Sequence, residues 1–213
     1  MTRTLSLTLV TLLFAAAVTA QDQKPIQLPR LDTTGGKPLM QALKDRHTAR
    51  EFRADTISLP VLANLLWAAC GVNRAESGKR TAPSAMNSQD IDVYVATARG
   101  LYRYESPSHT LQLVLAEDIR EKTGSQPFVK DVPVNLVYVA DYAKMTRGSA
   151  EDRTLYSAAD AGFISENVYL FCASEGLATV VRGSVDRQAL EKAMKLRPDQ
   201  KVILAQSVGY PKQ

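Results

Sequence analysis

"AGFISENVYLFCASEG" (residues 161–176) is the stretch that decides how this chain folds. It is the second half of a predicted helix from Glu151 to Glu175, the longest in the sequence, and apolar residues occupy nearly all of its sides. A helix of this kind is buried in a large core or between subunits, because water would meet apolar side chains on any exposed face. The rest of the sequence must therefore supply the surfaces that cover it.

The flanking sequence predicts two more helices and a set of strands. "SLPVLANLLWAACG" (58–71) predicts a helix that begins at Ser58 or Leu59, has Pro60 near its first position and ends at Gly71 as a C′ residue. "DRQALEKAMKL" (186–196) is amphipathic, with Asp186 as its N-cap. Alternating or β-branched runs predict strands in "DIDVYVATA" (90–98), "LYRYES" (101–106, after a turn at Gly100), "HTLQLVL" (109–115), a central "VPVNLVYVAD" (132–141), "ATVV" (178–181) and "KVILAQSVGYP" (201–211).

This mixture of helices and strands predicts an α+β fold, with a mixed or mostly antiparallel sheet flanked by helices. The N-terminus is different in character. "MTRTLSLTLVTLLFAAAVTA" places Arg3 before an apolar run and ends in the small-residue cleavage pattern Val18-Thr19-Ala20. That pattern is typical of a secretory signal peptide, and the apolar run is too short for a membrane span; a buried N-terminal helix is the alternative.

We therefore expect three regions: a signal peptide at 1–20, an extended arm at 21–36 and one domain at 37–213. Such a protein is periplasmic or secreted and has no membrane span once the signal is removed. The formal charge of +4 falls to +3 without Arg3, and Lys and Arg are scattered through the chain, so nucleic-acid binding has no specific support.

The cysteines and histidines are few. Cys70 and Cys172 have no metal-ligand spacing, and they either pair in an oxidising compartment or remain two separate buried thiols. Because His47 and His109 are the only histidines, we predict no metal site. A serine hydrolase lacks support too, since the chain contains no G-x-S-x-G motif.

"SGKRTAPSAMNSQD" (77–90) looks like a broken phosphate loop. A P-loop has four residues between its glycines and joins Gly-Lys directly to Ser or Thr, whereas here six residues separate Gly71 from Gly78 and Arg80 precedes Thr81. A triphosphate site is therefore not expected. Small side chains instead let a planar ligand lie against the backbone, with an Asn amide facing a ring edge, and an ordinary polar loop is the alternative. The residues concerned are Pro83, Ser84, Ala85 and Asn87.

Two further segments contain candidate ligand groups. In "RHTAREF" (46–52), Arg46, Thr48 and Arg50 alternate after a predicted helix, and two guanidinium groups with a hydroxyl can bind a phosphate. A solvated basic face at a helix end is the alternative. In "GLATVVRGSVD" (176–186), a strand end followed by Arg182-Gly183 can present a backbone N–H to a ring nitrogen, although a plain turn gives the same pattern.

Taken in order, from about Leu39 to Pro211, these segments resemble the FMN-dependent nitroreductase family. "RHTAREF" is similar to the family's Arg-Arg-Ser-x-Arg-x-Phe, and "APSAMNSQDIDVYVA" (82–96) to its Pro-Ser-x-x-Asn-x-Gln segment and following strand. "DAGFISENVYLFCASEGLATVVRGSVD" (160–186) is similar to its central helix, Gly-Leu turn and flavin-facing Gly, and "VGYP" (208–211) to its Gly-Tyr-Pro. "NLLWAACGVNR" (64–74) and "GLYRYESPSHTL" (100–111) most resemble the branch that includes the peptide azoline oxidases.

The resemblance implies a nitroreductase-like fold, a long central helix at a homodimer interface, bound FMN and NAD(P)H as a possible electron donor. It implies that Arg50 and Gly183 are the catalytic residues. It also implies four groups of cofactor contacts: Arg46, His47, Thr48 and Arg50 along the phosphate, ribityl and N1–O2 edge; Pro83, Ser84, Ala85 and Asn87 from the partner chain; Arg182 and Gly183 near N5; and Lys212 as the one residue left of a phosphate-binding basic pair.

The implied activity is ping-pong, two-electron transfer through FMN in an exported protein. The second substrate is a small aromatic, quinone or nitro acceptor, or else an oxidisable donor. Because reduced nicotinamides are scarce outside the cytoplasm, the physiological donor is left unassigned. A second hypothesis is a non-catalytic exported flavin-binding or storage protein, which binds FMN but does not turn over.

Overall fold

The predicted central strand is the most deeply buried element of the computed structural model, which describes residues 24–212. This strand, β7 (Val134–Asp141), is buried at all eight positions. It lies between β4 (Ile91–Thr97) and β9 (Gln200–Gly209) and pairs antiparallel with both. The predicted signal peptide at 1–20 lies outside the described residues.

A seven-stranded antiparallel sheet surrounds β7. The remaining strands are β1 (Ile26–Gln27), β5 (Gly100–Glu105), β6 (Thr110–Leu115) and β8 (Ala178–Arg182). Their order across the sheet is β1-β6-β5-β4-β7-β9-β8, and each recorded pairing is antiparallel. β2 (Val72–Arg74) and β3 (Lys79–Arg80) form a separate hairpin. The predicted α+β class with a mostly antiparallel sheet is thus confirmed.

The helices α1 (Leu39–Asp45), α2 (Leu59–Cys70), α3 (Ala150–Glu175) and α4 (Arg187–Ala193) cover the two faces of the sheet. Side chains alternate between faces along a strand, so β7 supplies both cores. Leu136 and Tyr138 pack with α2 and α3, whereas Val137 and Val139 pack with α4. The predicted N-cap of α4 is confirmed, since the Asp186 carboxylate accepts a hydrogen bond from Ala189 N at 3.1 Å.

The long helix α3 begins and ends within one residue of its predicted bounds. Ser149 and Asp152 form a reciprocal capping box at its start, and Gly176 follows it with φ of 70°, the left-handed conformation that suits glycine. The prediction that this helix is buried in a core or between subunits is met in part by its own subunit, which buries eight of the 26 residues of α3. α2, α1 and the sheet cover that side of α3, and Leu155 and Phe163 are its exposed large apolar side chains, at 64% and 48% exposure.

The arm follows the subunit's own surface rather than extending away from it. Ile26 and Gln27 pair with β6 at one edge of the sheet, and Leu28 is buried. Further along, Lys37 N donates a hydrogen bond to Ser174 Oγ at the end of α3, at 2.7 Å. The arm therefore connects the β6 edge of the sheet to the helical layer. Among residues 24–212, no helix is both long and apolar enough to cross a bilayer.

Gly71 ends α2 as predicted, but for a different physical reason. The prediction of a C′ glycine implied a left-handed residue, whereas Gly71 is extended, with φ of −70° and ψ of 160°. A Cβ atom at this position would collide with the Trp67 ring and backbone. The indole Nε1 of Trp67 in turn donates to Val72 O at 3.0 Å, which holds the ring against the turn. Close approach, not a positive φ, requires glycine here.

Cys70 and Cys172 are both buried and free, so of the two alternatives the structure has separate thiols.

We expect Gly71→Ala to lower the free energy of unfolding by about 1–3 kcal/mol, because the added methyl group overpacks the Trp67 contact. Denaturant titration followed by fluorescence measures this at the site itself, since Trp67 is the single tryptophan. Gly35→Ala is the matched control, as its Cβ would make only an ordinary contact at 3.8 Å with Asp32. Equal unfolding midpoints for the two variants would show that the Trp67 contact is not tight.

Candidate functional site

The segment 46–52 lies along the outer side of the sheet next to β8. Ala49 N donates to Thr179 O at 3.0 Å, and Arg53 N donates to Tyr210 O at 2.9 Å. Phe52 forms an isolated antiparallel bridge with Pro211. The segment therefore runs beside the ends of β8 and β9, which brings Arg46, Thr48 and Arg50 to one edge of the subunit. Lys212 reaches the same place, because its N–H donates to Glu51 O at 3.3 Å.

One buried side chain of α3, Tyr169, connects this segment to β8. Its hydroxyl accepts a hydrogen bond from Val181 N at 3.0 Å and lies 3.1 Å from Thr48 Oγ1. Since Val181 N–H is the donor in the first bond, the Tyr169 proton is free to be donated to Thr48. The Arg46 guanidinium lies over the Tyr169 ring, 5.4 Å from its centroid, in cation–π geometry.

The basic groups of the segment are not neutralised by the protein. Among residues 24–212, no ion pair is formed by Arg46 or Arg50, and Arg50 is exposed. His47 is also exposed, and its Nδ1–H donates to Asp45 O at 2.8 Å. The guanidinium groups of Arg46 and Arg50, four residues apart in the sequence, thus remain available to an anionic ligand.

The outer edge of β8 presents its backbone groups in a row. β8 is the last strand of the sheet and pairs with β9 alone, so the groups of alternate residues point away from the sheet. Thr179 O is taken by Ala49 and Val181 N by Tyr169, and Gly183 continues this alternation. Within the described residues, Gly183 N has no recorded hydrogen-bond acceptor. It is exposed, and the nearest atom to a hypothetical Cβ is 4.0 Å away, so a ligand could approach its N–H.

Arg182 does not place its side chain at this edge. Its guanidinium is buried on the far side, where Nη1 donates to Thr123 O at 2.7 Å and Nη2 donates to Asn135 Oδ1 at 3.0 Å. Burial without a carboxylate partner lowers the pKa of Arg182 to about 10. The alternation that turns the backbone groups of Thr179 and Val181 outward turns those of Arg182 toward β9, where Arg182 pairs with Ala205. Neither its side chain nor its backbone therefore lies at the ring-facing position that the resemblance implied. The Arg182 side chain has a structural role.

The loop with Pro83, Ser84, Ala85 and Asn87 is fixed to α3 at a different point. Ala85 N donates to both carboxylate oxygens of Asp160, at 3.0 and 3.1 Å. Ser84 Oγ accepts from Gln89 N at 2.9 Å, and Pro83 and Asn87 are exposed. Three residues of this loop, Met86, Asn87 and Gln89, have positive φ between 48° and 55°.

The structure does not bring the loop and segment 46–52 together within one subunit. The loop is anchored at Asp160 and the segment at Tyr169. Nine helical residues separate these anchors, which corresponds to about 14 Å along α3. The segment, Lys212 and the edge of β8 therefore form one group of candidate residues, and the loop forms another.

Sequence reasoning missed the carboxyl pair beneath the loop. Asp90 and Asp160 are 0% and 2% exposed. Asp90 Oδ1 accepts from Ser88 Oγ at 2.8 Å, whereas Asp90 Oδ2 has no donor among the described residues. Burial and a hydrogen bond with Asp90 raise the pKa of Asp160 to about 7. The available signal was a charged residue on the core-facing side of the predicted helix.

A cavity of about 760 Å³ lies between the arm and helices α1, α2 and α3. None of the predicted site residues lines it. Its polar groups already have partners, since Asn64 Oδ1 accepts from Asp32 N and Ser174 Oγ accepts from Lys37 N. Within residues 24–212, no cluster of three or more His, Cys, Asp or Glu side chains could hold a metal ion.

We expect the stability of the protein to fall as pH rises from about 4 to about 7, in part because Asp160 is protonated more readily when folded. The raised folded pKa means that the folded state binds more protons than the unfolded state between the ordinary value of 3.8 and about 7. Asp160→Asn should remove this contribution, because an amide keeps a hydrogen bond with Asp90 without ionising. Thermal unfolding from pH 4 to 8 measures it.

The control for that series is Asp131→Asn, an exposed aspartate far from the pair in sequence. As pH rises over this range, the Tm of Asp160→Asn should increase relative to the Tm of the wild type. A difference that stays constant with pH would refute the raised pKa of Asp160.

Comparisons with known proteins agree with this geometry. The Nitroreductase family profile matches residues 43–210. The crystal structure of a protein assigned as a nitroreductase from Ralstonia eutropha JMP134 superposes with a TM-score of 0.86 and 45% identity, covering 92% of this chain and 93% of that one.

Two more distant structures share the fold. The microcin synthetase complex McbBCD of E. coli matches with a TM-score of 0.71 and 17% identity, over 94% of this chain and 85% of that one. The NADPH:FMN oxidoreductase of Vibrio harveyi matches with a TM-score of 0.63 and 18% identity, over 82% of this chain and 69% of that one. The family profile covers most of the chain, and the family recognised from the sequence is confirmed: this protein belongs to the nitroreductase family of oxidoreductases.

Proposed function

We propose that this protein is an exported, homodimeric FMN-dependent oxidoreductase that transfers two electrons to or from a small organic substrate. One observation carries the proposal: the guanidinium groups of Arg46 and Arg50, which form no ion pair with residues 24–212, lie on the same edge of the subunit as Gly183 N–H, which has no acceptor among those residues. A basic pair and a single backbone donor, linked through Tyr169, suit a ligand with an anionic end and a ring nitrogen.

The residues present fit FMN. Arg46, with Lys212 beside Glu51, would hold the phosphate, and the Thr48 hydroxyl and the exposed His47 would lie along the ribityl chain. Arg50 would place its positive charge at the N1–O2 side of the ring, and Gly183 N–H would donate to N5. When bound, FMN supplies the two-electron chemistry, while the protein supplies binding, orientation and electrostatics.

The position of the loop supports a second subunit in the proposed site. Pro83, Ser84, Ala85 and Asn87 are anchored about 14 Å along α3 from the Arg46 segment, so we assign them to the flavin site of the partner chain. Exposed apolar side chains on α1, α3 and the loop support a buried surface between copies. These side chains are Leu39, Met40, Leu43, Met86, Leu155 and Phe163.

Export rests on the signal-peptide pattern at 1–20, and it bears on the donor. The Vibrio harveyi structural relative is an NADPH:FMN oxidoreductase, so NAD(P)H is a candidate donor, and quinones and nitroaromatic compounds are candidate acceptors. A flavin-storage protein would share the binding residues and differ only in lacking turnover.

The mature protein should therefore purify with a flavin absorption spectrum, release FMN rather than FAD on denaturation, and sediment as a dimer. Turnover with a reductant and a quinone or nitroarene then separates an enzyme from a storage protein. A monomer that binds no FMN when reconstituted would overturn the proposal.

We expect Arg50→Ala and Arg46→Ala to affect the bound flavin differently. Loss of the Arg50 charge removes a charge-assisted interaction of about 1.5–3 kcal/mol, so the two-electron midpoint potential should fall by about 30–65 mV. Arg46→Ala should instead speed FMN release on dilution and leave the potential nearly unchanged, because we assign Arg46 to the phosphate. Spectroelectrochemical titration and release kinetics measure the two effects.

Arg53→Ala is the matched control, because Arg53 is three residues after Arg50 but forms an ion pair with Asp55. It should change neither quantity. If Arg46→Ala shifts the potential and Arg50→Ala does not, the roles of the two arginines are reversed.

A further inference from the structure

We propose that Tyr169 is a positioning residue that sets the distance between the phosphate-binding segment and the N5-facing edge of β8. The inference rests on the proposed FMN function and concerns a residue of α3 that does not itself contact the cofactor. Tyr169 combines three contacts on one side chain, and each reaches a different part of the proposed site.

The hydroxyl group of Tyr169 has two hydrogen-bond partners in different parts of the site. It accepts from Val181 N at 3.0 Å and makes a hydroxyl–hydroxyl hydrogen bond with Thr48 Oγ1 at 3.1 Å, for which its own proton is available. Tyr169 is 6% exposed, so its ring and hydroxyl are held in place by the surrounding protein. A change at one bond is therefore transmitted to the other.

The two bonds end close to the groups assigned to FMN. Thr48 lies between Arg46 and Arg50 in sequence, and Val181 precedes Gly183 by two residues on the same outward-facing row of β8. The Tyr169 ring meanwhile supports the Arg46 guanidinium at 5.4 Å. One rigid side chain thus fixes the phosphate end and the N5 end of the site relative to each other.

The alternative is that Tyr169 only fills the core and satisfies its hydrogen-bond partners. Its loss would then change the stability of the protein and leave FMN binding unaffected. Tyr169→Phe distinguishes the two roles, because it keeps the ring, its packing and the Arg46 contact and removes only the hydroxyl. We expect FMN affinity to fall about tenfold as the two hydrogen bonds of the hydroxyl are lost, and the visible flavin absorption maximum to shift because Gly183 N–H is displaced from N5.

Tyr104→Phe is the matched control. Tyr104 is also buried, and its hydroxyl makes one hydrogen bond, to His109 Nδ1 at 2.9 Å, on another part of the sheet. It should lower Tm without altering FMN affinity or the flavin spectrum. Equal effects of the two variants on FMN would assign Tyr169 to the core and overturn the inference.

A double-mutant cycle with Thr48→Val tests the link itself. Thr48→Val removes the other end of the same bond, so its effect on FMN affinity should be smaller in Tyr169→Phe than in the wild type. Additive effects would show that the bond carries no coupling. If the wild type binds no FMN, the proposed function fails; if it binds FMN and Tyr169→Phe binds it equally with an unchanged spectrum, only the role of Tyr169 fails.

Discussion

The burial of α3 against the central strands is the constraint on which the rest of the structure depends. Leu136 and Tyr138 of β7 present one apolar face, and Ala161, Ile164 and Val168 of α3 cover it with α2. Because this contact fixes the direction of α3, the helix sets the distance between the segments that are attached to it. Asp160 holds the loop 83–87 at one point, and Tyr169 holds the segment 46–52 and β8 at another.

The candidate site also depends on where the sheet ends. An edge strand leaves alternate backbone groups without a strand partner, which is a liability unless something pairs with them. In this chain Ala49 and Tyr169 pair with two groups of β8, and Gly183 N–H is the next in the row. A ligand that accepts a hydrogen bond from Gly183 N–H would give this next outward-facing group a partner. The proposed cofactor would therefore also cover part of the exposed edge of the sheet.

Much of this architecture was readable from the sequence because local patterns determine it. The helix predicted at 151–175, apolar on nearly all sides of its second half, matches α3 within one residue at each end, and the β-branched run at 132–141 predicted the buried central strand. The three segments that carry candidate ligand groups were found from residue type and order alone. Two of them, 46–52 and 182–183, do meet on one edge in the structure.

What the sequence could not give depends on relative placement. The alternation of side chains along β8 directs the Arg182 side chain to Thr123 and Asn135. Which face of the sheet a residue of β8 points to can be assigned only when the neighbours of the strand are known. The Asp90–Asp160 pair joins residues 70 apart, and no local pattern indicates it. The apolar sides of α3 did not indicate whether the same subunit or a second one covers them. The subunit itself buries eight of the 26 residues of α3 and leaves Leu155 and Phe163 exposed.

The central claim is that each flavin site takes Arg46 from one subunit and the loop at Pro83 from the other, and mixed dimers test it most directly. Arg46→Glu and Pro83→Trp should each abolish FMN binding alone. After unfolding and refolding as an equal mixture, half of the dimers should carry one variant of each kind, and each of those has one intact site, so about a quarter of the FMN capacity should return. No recovery on mixing, with each variant refolded as a dimer, would show that both segments serve a site within a single chain.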